Sequence, residues 1–233
     1  MMGGRDLQKT VLEALNKLEL FRNLPGDYLS RIASSCVKRS FPKGAVLFYQ
    51  TEMTRDLFII LSGNVKATLT GDDGNEIVLC CFKEGDFFGE MNLFDNQGRS
   101  ATVTAEEDCE MAVLERRAFI SLLMEHPEIA IELITTLSKR LRKTNEMVES
   151  LVFLGVRERL LREFVKLAKP GGGEKHAIKT CKMTHQDMAC RIGASRESVS
   201  KCIKALIKEG ILTEKNNYFL IHLPKGKPRC PGI

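Results

Sequence analysis

The chain has 233 residues, 43% of them hydrophobic and 6% aromatic, which is enough to bury one or two ordinary cores and fits two modest domains best. It has no apolar run near the ~18 residues a membrane span needs, and the N-terminal stretch MMGGRDLQKTVLEALNKLELF is amphipathic with charges throughout. A transmembrane segment and a signal peptide are therefore not expected, nor is a membrane partner, and a cytoplasmic protein is. The net charge of +5 is unevenly divided: from Val156 onward 17 Lys plus Arg stand against 7 Asp plus Glu, a balance of +10, and the remainder carries 18 against 23, or −5. A basic C-terminal third on an acidic body points to a polyanion partner at one end, as nucleic-acid binding requires.

In chain order, short β-like runs separated by glycine-containing turns extend from about Ser40 to Leu114: AVLFYQ, DLFIILSG, VKATLTGDDGNEIVLCCF, EGDFFGE and SATVTAEEDCEMAVLE. Strands of this length at roughly ten-residue spacing predict an antiparallel sandwich or barrel, with the GDDGN stretch as a hairpin tip. Within it, GDFFGEMNLFDNQGRSATVTA sets one acid, Glu90, and one base, Arg99, among apolar residues. A charge taken out of water needs a partner, so the segment implies either an internal ion pair or a charged ligand; the second is the expectation here.

After Pro127 the period changes to helical, and EIAIELITTLSKRLRKTNEMVESLVFL runs 27 residues without proline or glycine. Ile134, Leu137, Leu141, Val148 and Leu151 follow 3-4 spacing with Thr144 as the polar member, the pattern of a two-stranded seam, so a homodimer is expected. From Val156 follow a helix (RERLLREFVKLAK), a glycine-rich turn at 171–173, two short helices around Gly193, and a hairpin or wing with Asn216 and Asn217 at its tip. The eight cysteines (Cys36, Cys80, Cys81, Cys109, Cys181, Cys190, Cys202 and Cys230) lack C-x-x-C spacing and read mostly as small core residues. The histidines at 126, 176, 185 and 222 do not fall at metal-ligand spacing with them, so no metal is expected.

In MTHQDMACRIGASRESVSKCIKALIKEGIL, Thr184 with Asp187 three residues on marks a helix start, Gly193 supplies a left-handed turn and Ser195 can cap a second helix. Met188, Ala189 and Ile192 would pack on Val199, Ile203 and Leu206, giving a helix-turn-helix. The outward face of its second helix carries Arg196, Glu197, Ser200, Lys201 and Lys204. Arg or Lys can donate to guanine and a carboxylate can accept from cytosine, so this face is suited to reading base edges of double-stranded DNA.

Together these segments resemble the catabolite activator protein/fumarate-nitrate regulator family of bacterial transcription factors, over essentially the full length. The resemblance implies an α+β chain: an N-terminal antiparallel β-roll, jelly-roll-like and cyclic-nucleotide-binding, over residues 1–126, a long dimerisation helix over 127–155, and a C-terminal winged helix-turn-helix domain over 156–233. ASRESVSKCIKAL is similar to the family's recognition helix, which implies Arg196, Glu197 and Lys201 as base readers and Thr184, Gln186 and Ser195 as phosphate contacts. Lys201 stands where the activator branch usually has arginine. The opening turn resembles the family's phosphate-binding cassette, F-G-E-x-x-L…R-[SA]-A. Carried over by position, Gly89 lets the backbone approach the ligand, Glu90 accepts the ribose 2′-hydroxyl, Arg99 meets the cyclic phosphate with help from Ser100, and Met91 lines the same turn. Thr144 and Asn145 fall where the activator branch has a Thr-Ser pair that contacts the base, and Asn145 departs from it.

The expected effector is thus a cyclic nucleotide, cAMP favoured over cGMP. The expected partners are a second copy of the chain, a palindromic DNA site and RNA polymerase. The alternative is a ligand-independent or thiol-sensing regulator on the same scaffold, with Cys80 and Cys81 as the candidate thiols. No nucleophile–base pair suggests an enzyme.

Overall fold

The computed structural model describes residues 3–21, 24–72, 74–167, 177–180, 182–216 and 218–222; the expected glycine-rich turn at 171–173 and the wing residue Asn217 lie outside them. The chain forms two compact units, one made of residues 1–69 and 79–144, the other of residues 70–78 and 145–233.

The first unit opens with α1 (Gly3–Lys17) and α2 (Gly26–Ser35). Strands β1 (Cys36–Phe41), β2 (Val46–Phe48), β3 (Asp56–Ser62), β4 (Asn64–Thr70), β5 (Glu76–Lys83), β6 (Phe87–Phe88), β7 (Thr102–Ala105) and β8 (Cys109–Glu115) follow, the last residue of β4 and the first three of β5 being counted with the second unit. They make two four-stranded sheets, ordered β1-β8-β3-β6 and β2-β7-β4-β5, and the pairings with recorded register are antiparallel. Between the sheets lies an interior of Phe48, Phe58, Ile60, Val65, Phe82, Phe88, Val103, Met111 and Val113. The outer face of the first sheet is covered by α1, α2 and α3 (Arg116–Glu125) and by the start of α4 (Pro127–Phe153). This double coverage explains DLFIILS. Phe58 and Ile60 enter the sandwich, whereas Leu57, Ile59 and Leu61 enter the helical layer, so β3 reads as an unbroken apolar run instead of an alternation.

Pro127 sits at the first turn of α4, where its missing N–H costs nothing. The next 26 residues contain no glycine or proline to stop the helix. Only Ile129 and Leu133 of α4 are buried. Leu137 is half-buried and packs on the helical layer, whereas Ile134, Leu141 and Val148 are 57%, 62% and 53% exposed. One member of the expected seam therefore serves its own unit, and the rest present an apolar stripe to solvent.

The second unit holds α5 (Val156–Lys166), α6 (His185–Ile192), α7 (Arg196–Lys208) and a three-stranded sheet ordered β10-β11-β9, from β9 (Ala177–Lys179), β10 (Leu212–Lys215) and β11 (Tyr218–His222). Its core is Leu160, Phe164, Met188, Ile192, Val199, Ile203, Leu206, Leu212, Phe219 and Ile221. The turn between α6 and α7 is set by three local features. Thr184 and Asp187 close a reciprocal capping box, Gly193 ends α6 in the left-handed region at φ 61°, and the Ser195 side chain accepts from the Ser198 N–H. Arg159 adds to this by donating to the Ile192 and Gly193 carbonyls at 2.6 and 3.1 Å, a cation at the helix's negative end.

Candidate functional site

Glu90 and Arg99 are both buried, 4% and 3% exposed, and each is satisfied by residues other than the other. Arg99 Nε donates to Thr54 Oγ1 at 3.0 Å, Nη1 to the Gly89 carbonyl at 2.9 Å and to Asn92 Oδ1 at 3.0 Å, and Nη2 to the Asp56 carbonyl at 3.0 Å. Its guanidinium lies 4.2 Å from the centre of the Phe48 ring and 5.4 Å from that of Phe58. All of these partners are neutral, and among the described residues Arg99 forms no ion pair. Burial pulls its pKa down, against the opposing pull of the Asp56, Glu52 and Glu90 charges.

An isolated buried ion costs several kcal/mol, and each hydrogen bond to a charged group returns about 1.5–3 kcal/mol. Four such bonds keep the guanidinium in place and leave its charge unneutralised, so an anion brought to its remaining N–H meets a fixed, desolvated cation.

Gly89 has a role that the sequence does not reveal. At φ 82° it sits where L side chains are strained, and a Cβ there would stand 2.5 Å from Arg99 Nη1 and 2.9 Å from the Asp56 carbonyl. The bare backbone therefore admits the arginine itself. Asn92, buried within the 3-10 turn Met91–Leu93, bridges Arg99 to the Thr54 carbonyl through its amide. Ser100, the next residue in the chain, is exposed, its hydroxyl 3.4 Å from Met91 Sδ.

The partner of Glu90 comes from α4. Arg140 Nη1 donates to Glu90 Oε1 at 2.8 Å and Nη2 to the Phe87 carbonyl at 2.5 Å, with the guanidinium 4.9 and 4.8 Å from the Phe82 and Phe87 ring centres. One turn further on, the Thr144 hydroxyl donates to the Arg140 carbonyl at 3.1 Å; Thr144 and Asn145 are exposed. Arg140, Asn92 and Thr54 were not singled out from the sequence. Arg140 is 50 positions from Glu90, and only the register of α4 brings them together.

The second candidate surface is α7. Arg196, Glu197, Lys201 and Lys204 are exposed along it, and Ser200 is half-buried, its Oγ 2.9 Å from His185 Nδ1. Thr184 and Ser195 are occupied as helix caps: Thr184 Oγ1 donates to Asp187 Oδ2 at 2.7 Å and Ser195 Oγ to Ser198 Oγ at 2.9 Å. Gln186 Nε2 donates to Cys190 Sγ at 3.4 Å.

The cysteines divide by environment. Cys36, Cys109 and Cys190 are buried, Cys80 and Cys202 half-buried, and Cys81 exposed, so Cys81 is not the core residue its neighbours suggest. Burial pushes the Cys80 thiol up to about 11 and that of Cys36 to about 12. Among the described residues no helix is long and apolar enough to cross a membrane.

Comparison with known proteins matches residues 38–126 to the family described as cyclic nucleotide-binding domain and residues 158–226 to the Crp-like helix-turn-helix domain. The cyclic AMP receptor protein of Thermus thermophilus is 33% identical over 83% of this chain and 87% of that protein. The cAMP-activated global transcriptional regulator Vfr of Pseudomonas aeruginosa is 31% identical over 83% and 93%. Among solved structures, the c-di-GMP-responsive global regulator CLP of Xanthomonas campestris superposes with a TM-score of 0.77 at 25% identity, over 85% of this chain and 99% of that one. Two matched domains in this order and identities at this level over most of both chains settle the family. The chain belongs to the CRP/FNR family of transcription regulators, with a cyclic-nucleotide-binding domain and a DNA-binding helix-turn-helix.

Proposed function

We propose that the chain is a cytoplasmic, homodimeric regulator whose effector is a cyclic nucleotide, cAMP in preference to cGMP, bound in the β-roll of residues 1–126 and read out by the helix-turn-helix of residues 156–233. The observation that carries the reading is Arg99: a cation 3% exposed, held by neutral partners and followed in the chain by an exposed serine. A cyclic phosphate carries one negative charge and can accept from both the guanidinium and Ser100. Glu90 has acceptor capacity beyond its bond to Arg140, because a carboxylate offers about four lone-pair sites, so it takes a ribose hydroxyl as well. The names of the Thermus and Pseudomonas relatives favour cAMP; that of CLP makes a cyclic dinucleotide the competing ligand.

In this reading the exposed stripe of Ile134, Leu141 and Val148 is covered by a second copy, and α4 is the dimer helix of the segment 127–155. Arg140 and Thr144 lie one turn apart on that helix, so the residue holding Glu90 and the residue assigned to the base move together. A ligand shifts an equilibrium only through differential affinity, and one that contacts both the turn and the dimer helix favours one helix register over another. The recognition helices are thereby set to successive major grooves about 34 Å apart on a palindromic site, the half-site spacing of helix-turn-helix dimers, where the bound dimer meets RNA polymerase. Small-angle scattering of the dimer and operator affinity, each with and without saturating cAMP, test the switch. Both change if it operates, and constancy of both refutes it.

A further inference from the structure

His185 ties together three elements of the DNA-binding unit. It occupies the first position of α6; its Nδ1 lies 2.9 Å from Ser200 Oγ on α7, and its Nε2 lies 3.3 Å from both carboxylate oxygens of Glu214 on β10. The ring is partly enclosed, 23% exposed, with its centre 6.1 Å from that of Phe219.

The chemistry of the three groups fixes the direction of each bond. An ionised carboxylate can only accept, so the nitrogen facing Glu214 carries the proton. In the neutral imidazole the other nitrogen is then an acceptor, and the Ser200 hydroxyl donates to it. Ser200 is thereby left with lone pairs only for any further partner. When the imidazole is protonated both nitrogens donate, Ser200 accepts from Nδ1, and its hydroxyl proton is released to point elsewhere.

We infer that His185 is a positioning residue that sets the hydrogen-bond polarity of Ser200 on the recognition helix, and so the base that Ser200 selects. The inference rests on the reading that α7 enters the major groove with Ser200 towards the bases. With neutral His185, Ser200 accepts, and it suits a base that presents an amino group, adenine N6 or cytosine N4. With charged His185 it donates, and suits guanine O6 or N7 or thymine O4. Base preference at this one position therefore follows the protonation state of His185.

Other charged groups do not duplicate this arrangement. At three- and four-residue spacing from Ser200, α7 carries Arg196, Glu197 and Lys204, all exposed. The corresponding neighbours of His185 on α6, Met188 and Ala189, are buried and apolar. On the sheet, Glu214 is opposite Phe219, whereas Lys215, Tyr218 and His222 fall on the other face by strand alternation.

The test is selection from DNA duplexes randomised across the half-site, using the full-length chain with saturating cAMP at low ionic strength, at about pH 8 and about pH 6. Wild type is expected to favour an amino-bearing base at one position at the higher pH. At the lower pH it shifts by about tenfold towards an acceptor-bearing base there and nowhere else. Ser200→Ala is expected to be indifferent at that position at both pH values, and His185→Phe to lose the shift while still binding. If Ser200→Ala flattens one position but the wild-type profile is the same at both pH values, the role of His185 is overturned and the docking stands. If Ser200→Ala changes no position, the docking itself is wrong.

Discussion

Glu90 and Arg99, nine positions apart in one turn, do not pair: Glu90 accepts from Arg140 at 2.8 Å, and Arg99 is held by Thr54, Gly89, Asn92 and Asp56. The turn therefore contains a neutralised acid and an unneutralised base, which is the asymmetry an anionic ligand requires. The two charges also differ in what they report. Glu90 is linked to α4, whereas Arg99 is anchored wholly within the turn and the strands beside it.

Arg140→Ala leaves the Glu90 carboxylate buried without its cation. Loss of one partner of a buried pair costs about 3–5 kcal/mol, and Glu90 is the more buried member, its side chain 5% exposed against 25% for Arg140. Urea unfolding of the first unit is expected to show a loss of that order, with a smaller one in the double variant Glu90→Leu, Arg140→Leu. Equal losses in the two would mean that the ion pair contributes nothing specific.

The apolar stripe on α4 predicts self-association. Leu141 is 62% exposed and Val148 53% exposed, so a charge at either disturbs a dimer seam and not a core. Leu141→Asp is expected to sediment as a monomer with unchanged far-ultraviolet circular dichroism at concentrations where wild type is dimeric. An unshifted dimer would assign the stripe to another partner.

Glu197 is exposed in the first turn of α7, where a carboxylate can accept from a cytosine amino group. Glu197→Ala is expected to relax preference at one base pair by about 1–3 kcal/mol, with affinity for random duplex little changed. Lys201→Arg should sharpen the neighbouring position, because a guanidinium meets guanine with two bonds. Uniform weakening across all sequences would place both residues on phosphates.

The thiols of Cys80 and Cys36 bear on the thiol-sensing alternative. Burial raises Cys80 to about 11 and Cys36 to about 12, from an ordinary thiol value of about 9. The folded chain therefore holds protons there that the unfolded chain releases between about pH 9 and 12. Their contribution to stability is intact below that window and is lost as pH rises through it. At neutral pH Cys80 is a thiol and a poor nucleophile. Iodoacetamide is expected to alkylate it far more slowly in the native protein than in urea; equal rates would revive it as a sensor.

The features legible in the sequence are those set by neighbours along the chain. Thr184, Asp187, Gly193 and Ser195 each act within a few residues, and their spacing alone predicts the turn that α6 and α7 make. The long α4 follows from an uninterrupted helical period. What could not be read depends on distant segments meeting. The apolar run of β3 gives no sign that its two faces enter different cores. Arg140 looks like one cation among several in SKRLRK until the α4 register brings it to Glu90. Asn92 fills a position where the cassette pattern places no demand, yet it grips Arg99 from within a 3-10 turn. His185 carries no motif of its own, because its two partners lie 15 and 29 positions downstream.

The measurement closest to the central claim is calorimetric titration of the full-length chain and of Arg99→Ala with cAMP and with cGMP, with folding of the variant checked by its unfolding transition. Wild type is expected to bind cAMP more tightly than cGMP, and Arg99→Ala to lose at least about tenfold in Kd for cAMP, the worth of one charge-assisted hydrogen bond. A folded Arg99→Ala that gives the wild-type isotherm would contradict the claim that this buried cation is there to receive a nucleotide phosphate.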